Sequence, residues 1–214
     1  MVRIILVRHG ETKWNIEGRY QGQEDTELSQ RGLEQAAALA KGLRDVSIDV
    51  CLSSPLQRSY ITAKACADVH GLPVQKDECL TEINHGVWEG QLAKDIEAQY
   101  PDLFHKWHTK PGGLQMPGSG GESLEDVQQR ARKAFEEYAK HYEGKTLLVV
   151  AHDAVNKAII CDLLGLSMDH FWQIKQDNTC INVLEKEGDT WRVVLLNSTA
   201  HMGYLFSGIE QAGL

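Results

Sequence analysis

Ile4-Ile5-Leu6-Val7 is the stretch that most narrows the folds open to this chain. A strand of consecutive aliphatic side chains has no polar face, so it must be covered on both sides. Sheets covered on both sides are mostly parallel, with helices as the crossovers. The run stops abruptly at Arg8-His9, and Gly10 lets the backbone turn without a steric penalty. A cation and an imidazole at the end of a buried strand are costly to desolvate unless an anion compensates them.

The same alternation continues along the chain. Residues 11–27 are polar and glycine-containing and read as a loop. Ser29 reads as the N-cap of a helix to about Arg44, with Leu33, Ala36, Ala37, Ala40 and Leu43 as its apolar stripe. Ile48-Asp49-Val50-Cys51-Leu52 is a second strand. Ser54-Pro55 after it predicts a sharp helix start, with Leu56, Tyr60, Ala63 and Ala67 buried and Gly71 closing the helix. A short strand over 72–75 leads to Glu82-Ile83-Asn84-His85-Gly86.

Residues 91–121 hold two short helical pieces (93–99 and 102–106) and two proline–glycine-rich turns, too irregular for a simple connection and suited to a lid. Ser123 and Asp126 form a capping box for a long helix to about Tyr142. Thr146–Ala151 is a buried strand running into His152-Asp153, with a helix over 154–164 behind it. Strands over 181–185 and 191–196 flank a Gly188-Asp189 turn as a hairpin. The expected fold is an α/β three-layer sandwich: a mostly parallel sheet, helices on both faces, and a helical lid insertion at 91–121 within one domain over 1–214.

Among 214 residues the net charge is −8, which argues against nucleic-acid and acidic-membrane partners. Five scattered cysteines without a CxxC pair suit a reducing compartment, and no secretory leader or bilayer-long apolar stretch is visible; a cytoplasmic location is expected. The late hairpin and Phe171-Trp172 are candidate contacts of a homodimer.

Ligands of open α/β sheets bind at the carboxyl ends of the strands. Arg8 and His9 lie at the end of the first strand, Arg58 in the first turn after the second, and His152 at the end of the strand over 146–151. Such a cluster in an acidic protein suits a small, highly charged anion, and phosphate matches arginine forks and helix N-termini. GxxxxGK[ST] and GxGxxG are absent, as is a carboxylate cluster for Mg²⁺. No cofactor and no metal are expected. A metallohydrolase using His9, His85, His152 and His201 is the competing scheme, but no paired carboxylate–histidine spacing supports it.

Leu6-Val7-Arg8-His9-Gly10-Glu11-Thr12-x-x-Asn15, Ser53-Ser54-Pro55-Leu56-x-Arg58, Glu82-x-x-x-Gly86-x-x-Glu89-Gly90 and Val149-Val150-Ala151-His152 together resemble the histidine phosphatase superfamily, the phosphoglycerate-mutase-like fold. The resemblance implies that His9 takes the phosphoryl group as phosphohistidine, while Arg8, Arg58 and His152 hold the phosphate. Thr12 and Asn15 would add hydrogen bonds. Glu82 would protonate the leaving oxygen and then activate water, its pKa raised beside the phosphate. Many members carry glycine after the second histidine; here it is Asp153, whose backbone N–H can still donate to the phosphate of the substrate while its carboxylate is repulsive unless it points outward.

The resembling mutases carry adjacent arginines in the insertion. Residues 91–121 contain none, only Lys94, Lys106 and Lys110, which favours a phosphatase. His85 is the expected substrate-selecting residue, an imidazolium for a carboxylate, joined by Gln21, Gly22 and His201. Asn84–Gly90 resembles metal-independent phosphoserine phosphatases. Asn156-Lys157-Ala158, Phe171-Trp172 and Gln176-Asp177-Asn178 resemble the 2-carboxyarabinitol-1-phosphate phosphatase branch. Small phosphorylated acids are therefore the expected substrates; phosphoglycerate mutase activity and α-ribazole phosphate are the alternatives.

Overall fold

In a computed structural model, which describes residues 1–204, six strands form one sheet. They are β1 (Val2–Arg8), β2 (Val50–Ser53), β3 (Val74–Lys76), β4 (Thr146–Ala151), β5 (Ile181–Glu187) and β6 (Thr190–Ser198). Their spatial order is β3-β2-β4-β1-β5-β6; the first four are mutually parallel and the last two add an antiparallel edge. The helices are α1 (Lys13–Glu17), α2 (Gln30–Leu43), α3 (Gln57–His70), α4 (Ala93–Gln99), α5 (Pro101–Thr109), α6 (Leu124–His141) and α7 (Asp153–Leu163).

Strand side chains alternate between faces, and the central strands use both. Ile4 and Leu6 of β1 join Leu147 and Val149 of β4 in one core, with α6, α7 and the insertion. Ile5, Val7, Leu148 and Val150 face the other core, against α2 and α3. The three-layer sandwich expected of the unbroken aliphatic runs is the one found. No helix among the described residues is long and apolar enough to cross a membrane.

Several local expectations are corrected. The loop over 11–27 contains α1, because Thr12 and Asn15 form a reciprocal capping box at its start. Leu33 is exposed on α2 and Leu39 is buried instead, so the stripe is rotated. Pro55 does not open α3, which begins at Gln57; the Ser53–Leu56 turn precedes it. Residues 91–121 are less detached than a lid implies: Ile96, Trp107, Leu114 and Met116 are fully or almost fully buried in the main core. At roughly 1.5–3 kcal/mol per large buried side chain, four such anchors hold the segment down.

Candidate active site

The sheet register brings the chemistry together. Arg8 pairs with Ala151 and Ser53 with Val150, so β1, β4 and β2 end at one level. The next residue of each chain then enters the site. The His9 N–H donates to Ala151 O (3.0 Å) and the Ser54 N–H to Val150 O (3.1 Å). The His9 and His152 rings lie 5.1 Å apart, centre to centre. Arg8, His9, Arg58, Glu82 and His152 are all at most 3% exposed, a burial that five ionisable groups tolerate only at a site built for charge.

His9 is held as a neutral imidazole with one ring nitrogen free. Its Nδ1 lies 2.7 Å from Gly10 O, an atom that only accepts, so Nδ1 carries the proton and Nε2 keeps its lone pair. Burial first, then the Arg58 and Arg8 guanidinium charges, hold its pKa well below the ordinary histidine value. His152 is depressed for the same reasons, with His9 adding to the effect. His152 is therefore neutral here, and the dianion of a phosphoryl group is what would draw a proton onto it. Its Nε2 pairs with Ser54 Oγ (2.8 Å) and its Nδ1 is buried without a partner.

The guanidinium groups are anchored by backbone carbonyls, which leave them charged. Arg8 Nη1 donates to Gln176 O (2.6 Å), Arg58 Nη1 to Glu24 O (2.8 Å) and Arg58 Nη2 to Gly22 O (2.7 Å). Both Nε atoms are buried and unpartnered, ready donors for an anion.

Glu82 accepts from the Ile83 N–H (2.9 Å) and, at the start of α7, from the Ala154 N–H (3.2 Å). Those bonds favour the carboxylate, but burial and the nearby Asp153 charge outweigh them and raise its pKa to about 7. The elevation expected beside phosphate is thus already present in the protein. Arg130 of α6 holds the Glu82 loop from behind, donating to Glu82 O (3.1 Å) and Cys79 O (2.8 Å) and pairing with Glu122.

The outer residues separate into groups. The Asn15 carbonyl oxygen accepts from the Thr12 N–H, and Thr12 Oγ caps α1, so both shape the loop. Gln21 is buried; its Oε1 takes the hydroxyls of Thr12 and Thr26 while Nε2 has no partner. Gly22 has φ +53, and a Cβ there would sit 1.9 Å from Glu89 Oε1, so no side chain fits beside the Arg58 carbonyl anchor. Glu89 Oε1 also accepts from the Gln23 and His85 N–H groups, tying the two rim loops together.

His85 is not an imidazolium. It is fully buried, edge-on to Tyr20 and Trp107, and desolvation lowers its pKa to about 3. Its Nδ1 faces Met116 Sδ (3.4 Å) and its Nε2 is unpartnered. His201 stands behind the site, 3.1 Å from Thr179 Oγ1, with its Cβ against Gly42 of α2. The Asp153 carboxylate turns into the protein, toward Arg8 and Lys157.

Thr179 and Arg130 carry no signal in the sequence, and Ser54 and Gln176 stand there only within motifs, with no role of their own. Ser54 resembled a helix cap, and the others act through backbone contacts that leave no spacing signal; the Thr179 N–H, for example, donates to Arg8 O (3.0 Å). Among the described residues no three His, Cys, Asp or Glu side chains gather as metal ligands, so the four-histidine arrangement does not form there.

The family model for the histidine phosphatase superfamily (branch 1) matches residues 4–199. The chain belongs to that superfamily. This histidine phosphatase is 39% identical over 212 residues to phosphoserine phosphatase 1 of Hydrogenobacter thermophilus, covering 99% of this chain and 100% of that one. It is 35% identical over 184 residues to the 2-carboxy-D-arabinitol-1-phosphatase of Triticum aestivum, 86% of this chain and 37% of that protein. Among solved structures, Entamoeba histolytica phosphoserine phosphatase in complex with 3-phosphoglyceric acid superposes with TM-score 0.85 at 30% identity, over 94% of this chain and 100% of that one. Both branches named by the sequence motifs are therefore represented among its relatives, and the histidine phosphatase is an enzyme of the phosphomonoesterase class.

Proposed function

We propose that the chain hydrolyses small phosphorylated acids of the phosphoserine kind, without a metal, through a phosphohistidine on His9. One observation carries this reading: a neutral His9 with Nε2 unprotonated, and a buried Glu82 with a pKa near 7, meet two carbonyl-anchored arginines. His9 Nε2 attacks phosphorus; the N–P bond forms as the ester P–O bond breaks. The leaving alkoxide takes the Glu82 proton. Arg8, Arg58 and His152 hold the equatorial oxygens as charge moves. Water then attacks the phosphohistidine, giving its proton to the Glu82 carboxylate, and inorganic phosphate leaves.

The relatives named as phosphoserine phosphatases and the lack of arginine in 91–121 support water over a sugar acid as the acceptor. The test is acid-quench and base-quench trapping with ³²P-phosphoserine. An acid-labile, base-stable phosphoenzyme that forms equally with a chelator present is expected; turnover that needs a metal and leaves no labelled histidine would sink the proposal.

His85 selects through Nε2 as a neutral group. With the Nδ1 proton turned toward the Met116 thioether, Nε2 presents a lone pair to a substrate ammonium or hydroxyl, and the unpartnered Gln21 Nε2 donates to the anionic end. His85→Ala should raise KM for phosphoserine about tenfold, the loss of one good hydrogen bond, and leave KM for p-nitrophenyl phosphate within about twofold. Equal changes in both constants would remove His85 from substrate selection.

A further inference from the structure

Asp153 departs from the glycine of many resembling sequences, and its carboxylate is completely buried. Its Oδ1 lies 3.6 Å from Arg8 Nη1 and its Oδ2 2.9 Å from Lys157 Nζ, one turn further along α7. Lys157 is itself 1% exposed, with Nζ 4.7 Å from the Phe171 ring centre and 4.6 Å from that of Trp172. Neither Asp153 oxygen has a well-aligned hydrogen bond, so charge and packing hold the pair. A buried pair of this sort is weak evidence for stability, because desolvation offsets most of the attraction. What it faces is more informative: the phosphate-side guanidinium of Arg8 and, through the adjoining Ala154 N–H, the carboxyl of Glu82.

We propose that Asp153 and Lys157 are positioning residues: Asp153 steadies the Arg8 guanidinium and sets its negative charge against the Glu82 carboxyl, and Lys157 limits that effect by neutralising Asp153. The proposal rests on Glu82 being the proton donor. Charge reaches Glu82 from Asp153 and Lys157 on α7, Arg8 on β1, Arg58 on α3 and Arg130 on α6; His9 and His152, under the same Arg8 and Arg58 charges, are neutral. Asp153 faces Arg8, Lys157, Glu82 and the Cys180 thiol; Lys157 faces in addition His108 of α5 and Cys161 of α7. Of the charged neighbours acting on the Glu82 pKa, Asp153 raises it most, second only to burial.

The experiment is a ¹³C NMR titration of the Glu82 carboxyl in the unmodified chain, Asp153→Asn, Lys157→Met and the double variant, the signal assigned by its absence in Glu82→Gln. Asp153→Asn should lower the midpoint by about one pH unit, as a charge at this range does, and Lys157→Met should raise it by a similar amount. The double variant should titrate within about half a unit of the parent. Shifts in the same direction, or none, overturn the proposal. The double variant has no lone buried charge and so carries the test if a single variant does not fold. Without its carboxylate partner, Arg8 should bind inorganic phosphate about fivefold more weakly by calorimetry; unchanged affinity overturns the positioning role. Both readouts use the enzyme without turnover, so they stand apart from the phosphoenzyme trapping that tests the reaction itself.

Discussion

With His9 as the proposed nucleophile, His9→Ala should reduce kcat/KM by at least about 10⁴-fold and leave no phosphoenzyme, because the whole double-displacement route would be lost with it. Glu82→Gln behaves differently in a way that identifies its role. For phosphoserine, whose alkoxide must be protonated as it leaves, the loss is about 10²–10⁴-fold. For p-nitrophenyl phosphate the leaving phenolate needs no proton, so the first step is nearly intact and labelled enzyme accumulates while its hydrolysis slows. Single-turnover kinetics on both esters checks this. A Glu82→Gln penalty of the same size for the two esters would remove the general-acid assignment, and turnover surviving in His9→Ala would remove the mechanism. In the free enzyme kcat/KM should fall on the alkaline side with a limb near the Glu82 value of about 7.

Acid should unfold this protein earlier than its composition implies. The His9 and His152 imidazoles take protons in the folded chain only well below their ordinary value, and His85 only near 3. The unfolded chain protonates all three near 6.5, so it binds more protons and stability falls as pH drops through that value. Glu82 acts oppositely: protonated in the fold up to about 7 but in the unfolded chain only to about 4.5, it loses stability as pH rises across that window. His108 and His201, lowered by burial, add to the fall in acid, and Glu89, raised by burial, opposes it. Among the first four groups three imidazoles outweigh one carboxyl by a net two protons, on the order of 3 kcal/mol per pH unit between roughly 6 and 5. For a chain of this size that is about 5–10 °C in Tm per unit. Calorimetric melts at pH 7, 6 and 5 read it, and His85→Leu should make the slope shallower. A Tm that stays level over this range would mean the imbalance does not exist.

How much was legible from the chain follows from how each signal arises. Unbroken aliphatic runs at 4–7 and 146–151 demand cover on both faces, and that requirement alone dictates a layered α/β sheet. Arg8, His9, Arg58, Glu82 and His152 could be found because strand ends in such sheets meet at one edge and because their spacing follows a family pattern. The tautomer of His9, by contrast, depends on a single carbonyl 2.7 Å away. The charge of His85 depends on the aromatic rings around it: as residue types Tyr20 and Trp107 say nothing, and as neighbours they exclude water and keep the imidazole neutral.

Asp153 marks the same boundary. Read along the chain it is a carboxylate beside a phosphate site, and repulsion is the natural inference. In the fold it lies between Arg8 and a Lys157 boxed by two aromatic rings, which turns a liability into a fixed charge. The sequence by itself determined the layers and the edge where Arg8, His9, Arg58 and His152 meet, since those follow from local periodicity and strand ends, while Glu82 was reached only through the resemblance to a family. Only the tertiary structure decided which of those groups are charged, because protonation is set by desolvation and by neighbours brought in from elsewhere along the chain, Arg58 beside His9, Asp153 beside Glu82 and Tyr20 beside His85.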